Sequence, residues 1–233
     1  MSFQRKLARA AVASLATLAF GGVHAAAVIV KDTSSVSSIP GISNFQTTGA
    51  MMSGLEVTAT FSGGLTETLA WATTSATAGG VTGTNWGLSL DGDSFNTLWH
   101  FTMSANLGQI VSLKLDGSNA FTVLDTNNPS PGTPDSSSGV DFEFSNLAIN
   151  ATATYSSVVA VSPDVVGLGD LFQVLTVTFG NTGPRTDFTF FQDTDNDSRF
   201  GTVPEPGSLA LVGLALAAMG GRARRRSPRA TQA

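Results

Sequence analysis

The sequence predicts an all-β protein, an antiparallel β-sandwich or jelly-roll ectodomain flanked by an N-terminal signal-peptide helix and a short C-terminal hydrophobic helix. Apolar and polar residues alternate with period 2 over short stretches of the body, the pattern of strands with one buried face. Turn residues interrupt those stretches at short intervals, as in a sandwich built from ten or so strands. Thr, Ser, Gly, Val and Phe are abundant while charged residues make up only 12%. With no convincing amphipathic helix in the body, that balance favours strands. A right-handed parallel β-helix is the competing architecture, and the lack of a fixed-length repeat counts against it.

Residues 1–25 stand apart from that fold. Arg5, Lys6 and Arg9 form a basic start, Ala10 to Gly22 an apolar stretch, and Val23-His24-Ala25 a small-residue cleavage pattern. Together they make a secretory signal peptide, addressed to the Sec translocon. Cleavage is expected after Ala25, with Ala27 the alternative. The ectodomain, 26–202, then opens with a short apolar strand at Ala26 to Lys31, and Thr33 to Gly49 reads as a Ser, Thr and Gly-rich loop. Leu55, Val57, Ala59 and Phe61 alternate with Glu56, Thr58 and Thr60, and Gly63-Gly64 turns that strand into a partner over Thr66 to Thr73. Gly79-Gly80 and Gly83 punctuate the chain before Trp86, and Asp91-Gly92 marks a turn after Leu90. Trp99, Phe101 and Met103 share one face of a strand, and His100 takes the other. Val111, Leu113 and Leu115 alternate with Ser112 and Lys114 until Asp116-Gly117. Asn127 to Gly139, with Pro129, Pro131 and Pro134, is a surface loop, because proline removes ladder donors. Val140, Phe142 and Phe144 resume the alternation. Leu175, Val177 and Phe179, then Phe188 and Phe190, supply two late strands around a turn at Asn181 to Pro184.

Charge is distributed unevenly. Of the 12 Lys and Arg, only Lys31, Lys114, Arg185 and Arg199 lie between residues 26 and 206, whereas all 17 acidic residues do, a net charge of −13. So acidic a body is repelled by nucleic acid and by anionic membranes, and it favours solubility and cation association. The chain has no cysteine. Disulfides, thiolate metal sites and a cysteine nucleophile are therefore excluded, and stability has to come from a core.

After the ectodomain, Pro204 and Pro206 keep the chain extended. A candidate helix follows from Ser208 to Gly221, and Arg222, Arg224, Arg225 and Arg226 close the segment. Fourteen residues of helix reach roughly 21 Å, against a hydrocarbon core of about 30 Å. That is short for a lasting anchor, and the arginines hold its end on the cytoplasmic side. The order of Pro204-Glu205-Pro206, apolar helix and basic cluster over 203–226 resembles the PEP-CTERM sorting tail of Gram-negative bacteria. The resemblance implies an exosortase, a membrane-embedded cysteine protease or transpeptidase, as partner. It also implies transient insertion in the inner membrane, and removal of the tail as the protein reaches the cell surface or the extracellular polymer matrix. Residues 227–233 are expected to be a disordered end.

The body itself is similar to a recurring group of exported PEP-CTERM proteins. The likeness runs through Ala70-Trp71-Ala72, the Gly92 to Phe101 segment, Ser112 to Gly117 and Gly132-Thr133-Pro134, and continues in Asp170 to Phe179 and Phe188 to Asp197. It implies a β-rich exported domain and brings no activity with it.

Few residues suggest chemistry. Asp193, Asp195 and Asp197 have the 1, 3, 5 spacing of a calcium loop, but Ser198 stands where glycine belongs and Pro204 where a bidentate glutamate belongs. A solvated acidic linker is the simpler reading, with calcium at most a loop staple. Asp91 and Asp93 are first of all a turn. His100 is the mature chain's single histidine, and no Gly-x-Ser-x-Gly elbow, phosphate-cradling loop or His-x-x-x-His pair occurs. Trp71, Trp86 and Trp99 are candidates for a sugar-stacking platform, although Trp99 shares its parity with core residues. The expected function is that of a non-enzymatic surface or matrix protein of structural or adhesive type, with extracellular polysaccharide as a possible partner. A carbohydrate-binding module is the alternative, and a secreted hydrolase stands third.

Overall fold

A computed structural model describes residues 27–200 apart from 45, 128–131, 134–135, 137–138, 146–148 and 182–185. The expected signal peptide, the sorting tail and both expected terminal helices lie outside the described residues. In chain order the strands are β1 (Val28–Lys31), β2 (Val36–Ile39), β3 (Ile42–Asn44), β4 (Glu56–Phe61), β5 (Thr66–Ala70), β6 (Ala72–Thr73), β7 (Ala78–Gly83), β8 (Trp86–Asp91), β9 (Trp99–Met103), β10 (Ile110–Asp116), β11 (Thr122–Asp125), β12 (Glu143–Phe144), β13 (Ala151–Val161), β14 (Leu171–Phe179), β15 (Phe188–Phe191) and β16 (Asp193–Asp197). The described helical structure consists of two single turns of 3-10 helix, at Gly49–Met51 and Ala105–Leu107.

The strands form two sheets, one of ten strands and one of six. In the larger sheet β14 is the hub. Its residues 174–178 pair with β10 and its residues 171–172 with β11, while β13 runs along its other edge. From β10 the sheet continues to β4 and β5, and from β11 to β16 and β3. The smaller sheet has the order β12, β15, β9, β8, β7, β6. Pairing is antiparallel except where β1 and β2 lie parallel to β13, each covering part of its outer edge. The all-β sandwich is as the period-2 pattern predicts. Val57, Ala59 and Phe61 of β4 and Trp99, Phe101 and Met103 of β9 point into one core, while His100 is exposed.

Aromatic rings fill the space between the sheets. Trp99 stacks on Phe190 at 5.7 Å and Phe101 on Phe188 at 4.8 Å, and Phe142 meets Phe144 edge to face at 4.9 Å. Such pairs add about 0.5–1.5 kcal/mol each beyond their burial. Tyr155 is buried among them, donating to Gln192 Oε1 and accepting from the Phe142 amide at 2.7 Å. Loss of solvent raises its phenol well above the ordinary range.

Several expectations need correction. Thr33 to Gly49 is not one loop; it holds β2, β3 and the start of a 3-10 turn. Edge strands need little apolar surface of their own once a ladder is offered, so composition there reads as loop. Gly79 and Gly80 lie inside β7 and are not a turn. A Cβ on Gly79 would come within 2.1 Å of Trp71 Nε1 and 2.2 Å of the Gly49 carbonyl oxygen, so this glycine permits close approach of backbone. Val111 is exposed, because a bulge between Ile110 and Ser112 shifts the parity and buries Ile110 in its place. The longest strand, β13, carries small side chains at Ala151 and Ala153 and gives no strong apolar alternation. Finally, Asp193–Asp197 is neither a calcium loop nor a solvated linker but a fully buried strand.

Candidate functional site

That buried acidic strand builds the one concentrated site of charge among the described residues. β16 lies between β11 and β3, with Asp193 opposite Asp125, Asp195 opposite Val123 and Asn196 opposite Asn44. Period 2 places Asp193 and Asp195 on one face. One carboxylate oxygen from each of Asp125, Asp193 and Asp195 lies within 4.8 Å of the others, and each residue is only 1% exposed. Asp170 stands beside them, 3% exposed, accepting from the Thr133 hydroxyl at 2.7 Å and the Leu171 amide at 3.0 Å.

Ser136, which precedes β12, reaches the cluster. Ser136 Oγ lies 2.7 Å from Asp125 Oδ2 and 2.8 Å from Asp195 Oδ2, within hydrogen-bond reach of both. A serine hydroxyl has one proton to donate, so it satisfies two carboxylates fully only when one of them is itself protonated. Ser94 Oγ donates to Asp193 Oδ1 at 3.0 Å, and the Thr194 amide reaches the same oxygen at 2.8 Å.

Burial raises all three acids. Asp125 is pushed up to about 8, by loss of solvent first and then by the charge of Asp195, against the hydrogen bond from Ser136. Asp193 rises to about 7 through burial and the charge of Asp195. Asp195 rises to about 6 through burial, opposed by Ser136. The described basic side chains are engaged elsewhere. Lys31 lies 3.4 Å from Asp141, Lys114 lies 3.0 Å from Asp116, and Arg199 pairs with Asp197.

Chemically the cluster can hold protons, or a divalent cation in their place. Its all-oxygen donor set suits a hard ion, although three carboxylates fall short of the six to eight oxygens calcium takes. Polymer substrates do not reach side chains this deeply buried. Of the residues singled out by spacing, Asp193 and Asp195 belong to the cluster. Asp197 does not; it is held by Arg199, whose guanidinium sits 5.0 Å over the Phe121 ring. Asp125 and Asp170 are far away in sequence, and an acid ending the apolar run Val123-Leu124 was the one local signal for Asp125. Asp91 serves its turn, accepting from Thr77 at 2.7 Å.

The tryptophans do not form a platform. Trp71, Trp86 and Trp99 are 1%, 4% and 0% exposed. Their indole N–H groups donate to the Gly49 carbonyl, the Glu67 carboxylate and the Gln192 backbone carbonyl.

What places the protein in the cell lies beyond β16. The sequence profile of the PEP-CTERM protein-sorting motif matches residues 202–226. The chain carries a PEP-CTERM sorting motif. The match contains Pro204, Glu205 and Pro206 and the cluster Arg222, Arg224, Arg225 and Arg226, all outside the described residues. An exosortase is its processing partner, and its destination is the cell surface or the extracellular space. No curated protein and no solved structure matches the chain. Among the described residues, no helix is long and apolar enough to cross a membrane.

Proposed function

We propose that this PEP-CTERM protein is a non-enzymatic structural or adhesive component of the extracellular matrix. In this reading it is delivered by the Sec translocon, held briefly in the inner membrane by its tail, and released by exosortase processing among extracellular polysaccharide. The sorting motif at 202–226 carries the reading, because it directs a β domain out of the cell. The interior is in keeping with it, since the clustered acids are sealed from polymer substrates.

The sorting step is tested by replacing Pro204-Glu205-Pro206 with three alanines. The variant is expected to accumulate uncleaved in the inner membrane fraction, while wild type appears outside the cell with a shortened C-terminus. Normal processing and release of the variant would remove the role given to the tripeptide. The non-enzymatic reading fails if purified protein degrades any polysaccharide presented to it.

A further inference from the structure

The outer face of the larger sheet carries two registered rows made mostly of hydroxyl side chains. One runs through Thr68, Thr58, Lys114, Thr176 and Thr154 to Val30 of β1, each residue the registered partner of the next. The other runs through Thr66, Thr60, Ser112, Thr178 and Thr152 to Val28. None of these side chains is buried. Six strands at about 4.8 Å spacing make each row about 24 Å long. At the β1 end the second row opens into a depression of about 350 Å³, lined by Thr178 and Thr152 together with Val28, Asn150 and Phe179.

We infer that this face binds an extended, uncharged polysaccharide chain lying across the strands, with the depression taking one sugar ring. The inference rests on the proposed role among extracellular polysaccharide and names the surface and the ligand class. Charge favours an uncharged ligand. Lys114, the cation within the rows, is balanced by Asp116 at 3.0 Å, so the strip is neutral on a domain that otherwise repels anionic polymers. Hydroxyls both donate and accept, which matches the hydroxyls of a sugar chain. Thr58 and Thr68 already contact each other at 2.8 Å and Thr66 donates to Thr60 at 3.2 Å, and each hydroxyl oxygen keeps capacity for a further hydrogen bond. The depression adds apolar surface from Val28 and Phe179 beside polar groups, the mixture that sugar rings take. A second copy packed face to face would need an apolar layer there, which threonine rows do not provide.

The test uses exported, processed protein and its retention on four uncharged glucans: cellulose, curdlan, amylose and dextran. Alginate serves as an anionic probe. Retention on at least one glucan, insensitive to salt, is expected. It should fall about tenfold or more when Thr58, Thr60, Thr176 and Thr178 are all replaced by valine, with the melting temperature held. The matching serine variant, which keeps the hydroxyls, should bind like wild type. Absence of retention on all four glucans overturns the inference, as does equal retention of the valine variant or binding confined to alginate. A concentration-dependent dimer abolished by the valine changes would assign the face to a second copy and overturn it too. Recovery of the protein in the matrix fraction, scored in parallel, tests the adhesive role separately.

Discussion

At Asp125, Asp193 and Asp195, protons do work that basic side chains do elsewhere in proteins. An unfolded aspartate titrates near 3.9, and the folded values of about 8, 7 and 6 lie above it. The folded state therefore binds more protons than the unfolded state across that interval. The resulting stability is fully present below about pH 4 and is lost as pH rises through 6 to 8. In chelator, the melting temperature should fall between pH 5 and pH 9, and a flat profile would show the carboxylates to be less buried than described. Asp125→Asn should flatten the upper part of that fall and raise stability at pH 8 by about 1–3 kcal/mol, read by denaturant unfolding. If a divalent ion takes the protons' place, millimolar calcium should raise the melting temperature more at pH 8 than at pH 5. No shift at either pH would leave the cluster a proton store alone.

At the scale of elements, glycine separates turns from close contacts. Gly64 turns β4 into β5 with φ +91° and nothing within 4 Å of its missing Cβ, so Gly64→Ala costs backbone strain alone, about 1 kcal/mol. Gly79→Ala forces the Gly49 carbonyl and the Trp71 indole apart, and should cost about 3 kcal/mol or more in the same denaturation assay. Equal costs would mean that β7 has more room than the contacts show. This distinction marks how far the elements were legible. β4, β9 and β10 announced themselves because large apolar side chains alternate on strands with one wet face. β16 did not, since Asp193 to Asp197 is buried on both faces by neighbours remote in sequence and its composition reads as solvated. β13 was hidden by its alanines. The bulge at Val111 was invisible because register is decided by the partner strand.

Over the whole molecule, an acidic sandwich precedes a C-terminal sorting motif and follows an expected signal peptide. Mass analysis of the protein recovered outside the cell should find it lacking both the first 25 residues and the end of the tail. An intact C-terminus at Ala233 would contradict exosortase processing. The sorting tail was readable without a structure because it is a linear order of helix breakers, apolar length and charge that a processing enzyme meets along the chain. The sandwich class was readable for a related reason, since alternation with period 2 is a local property of strands. Which residues share a site was not local. Asp125 meets Asp193 and Asp195 because β11 and β16 pair, the tryptophans are buried because two sheets close over them, and the threonine rows exist because six strands fall into register. The sequence by itself determined the destination and the class of fold. Only the packing of distant strands decided where its charges are hidden and which face it shows, because burial and register are properties of partners rather than of any single stretch.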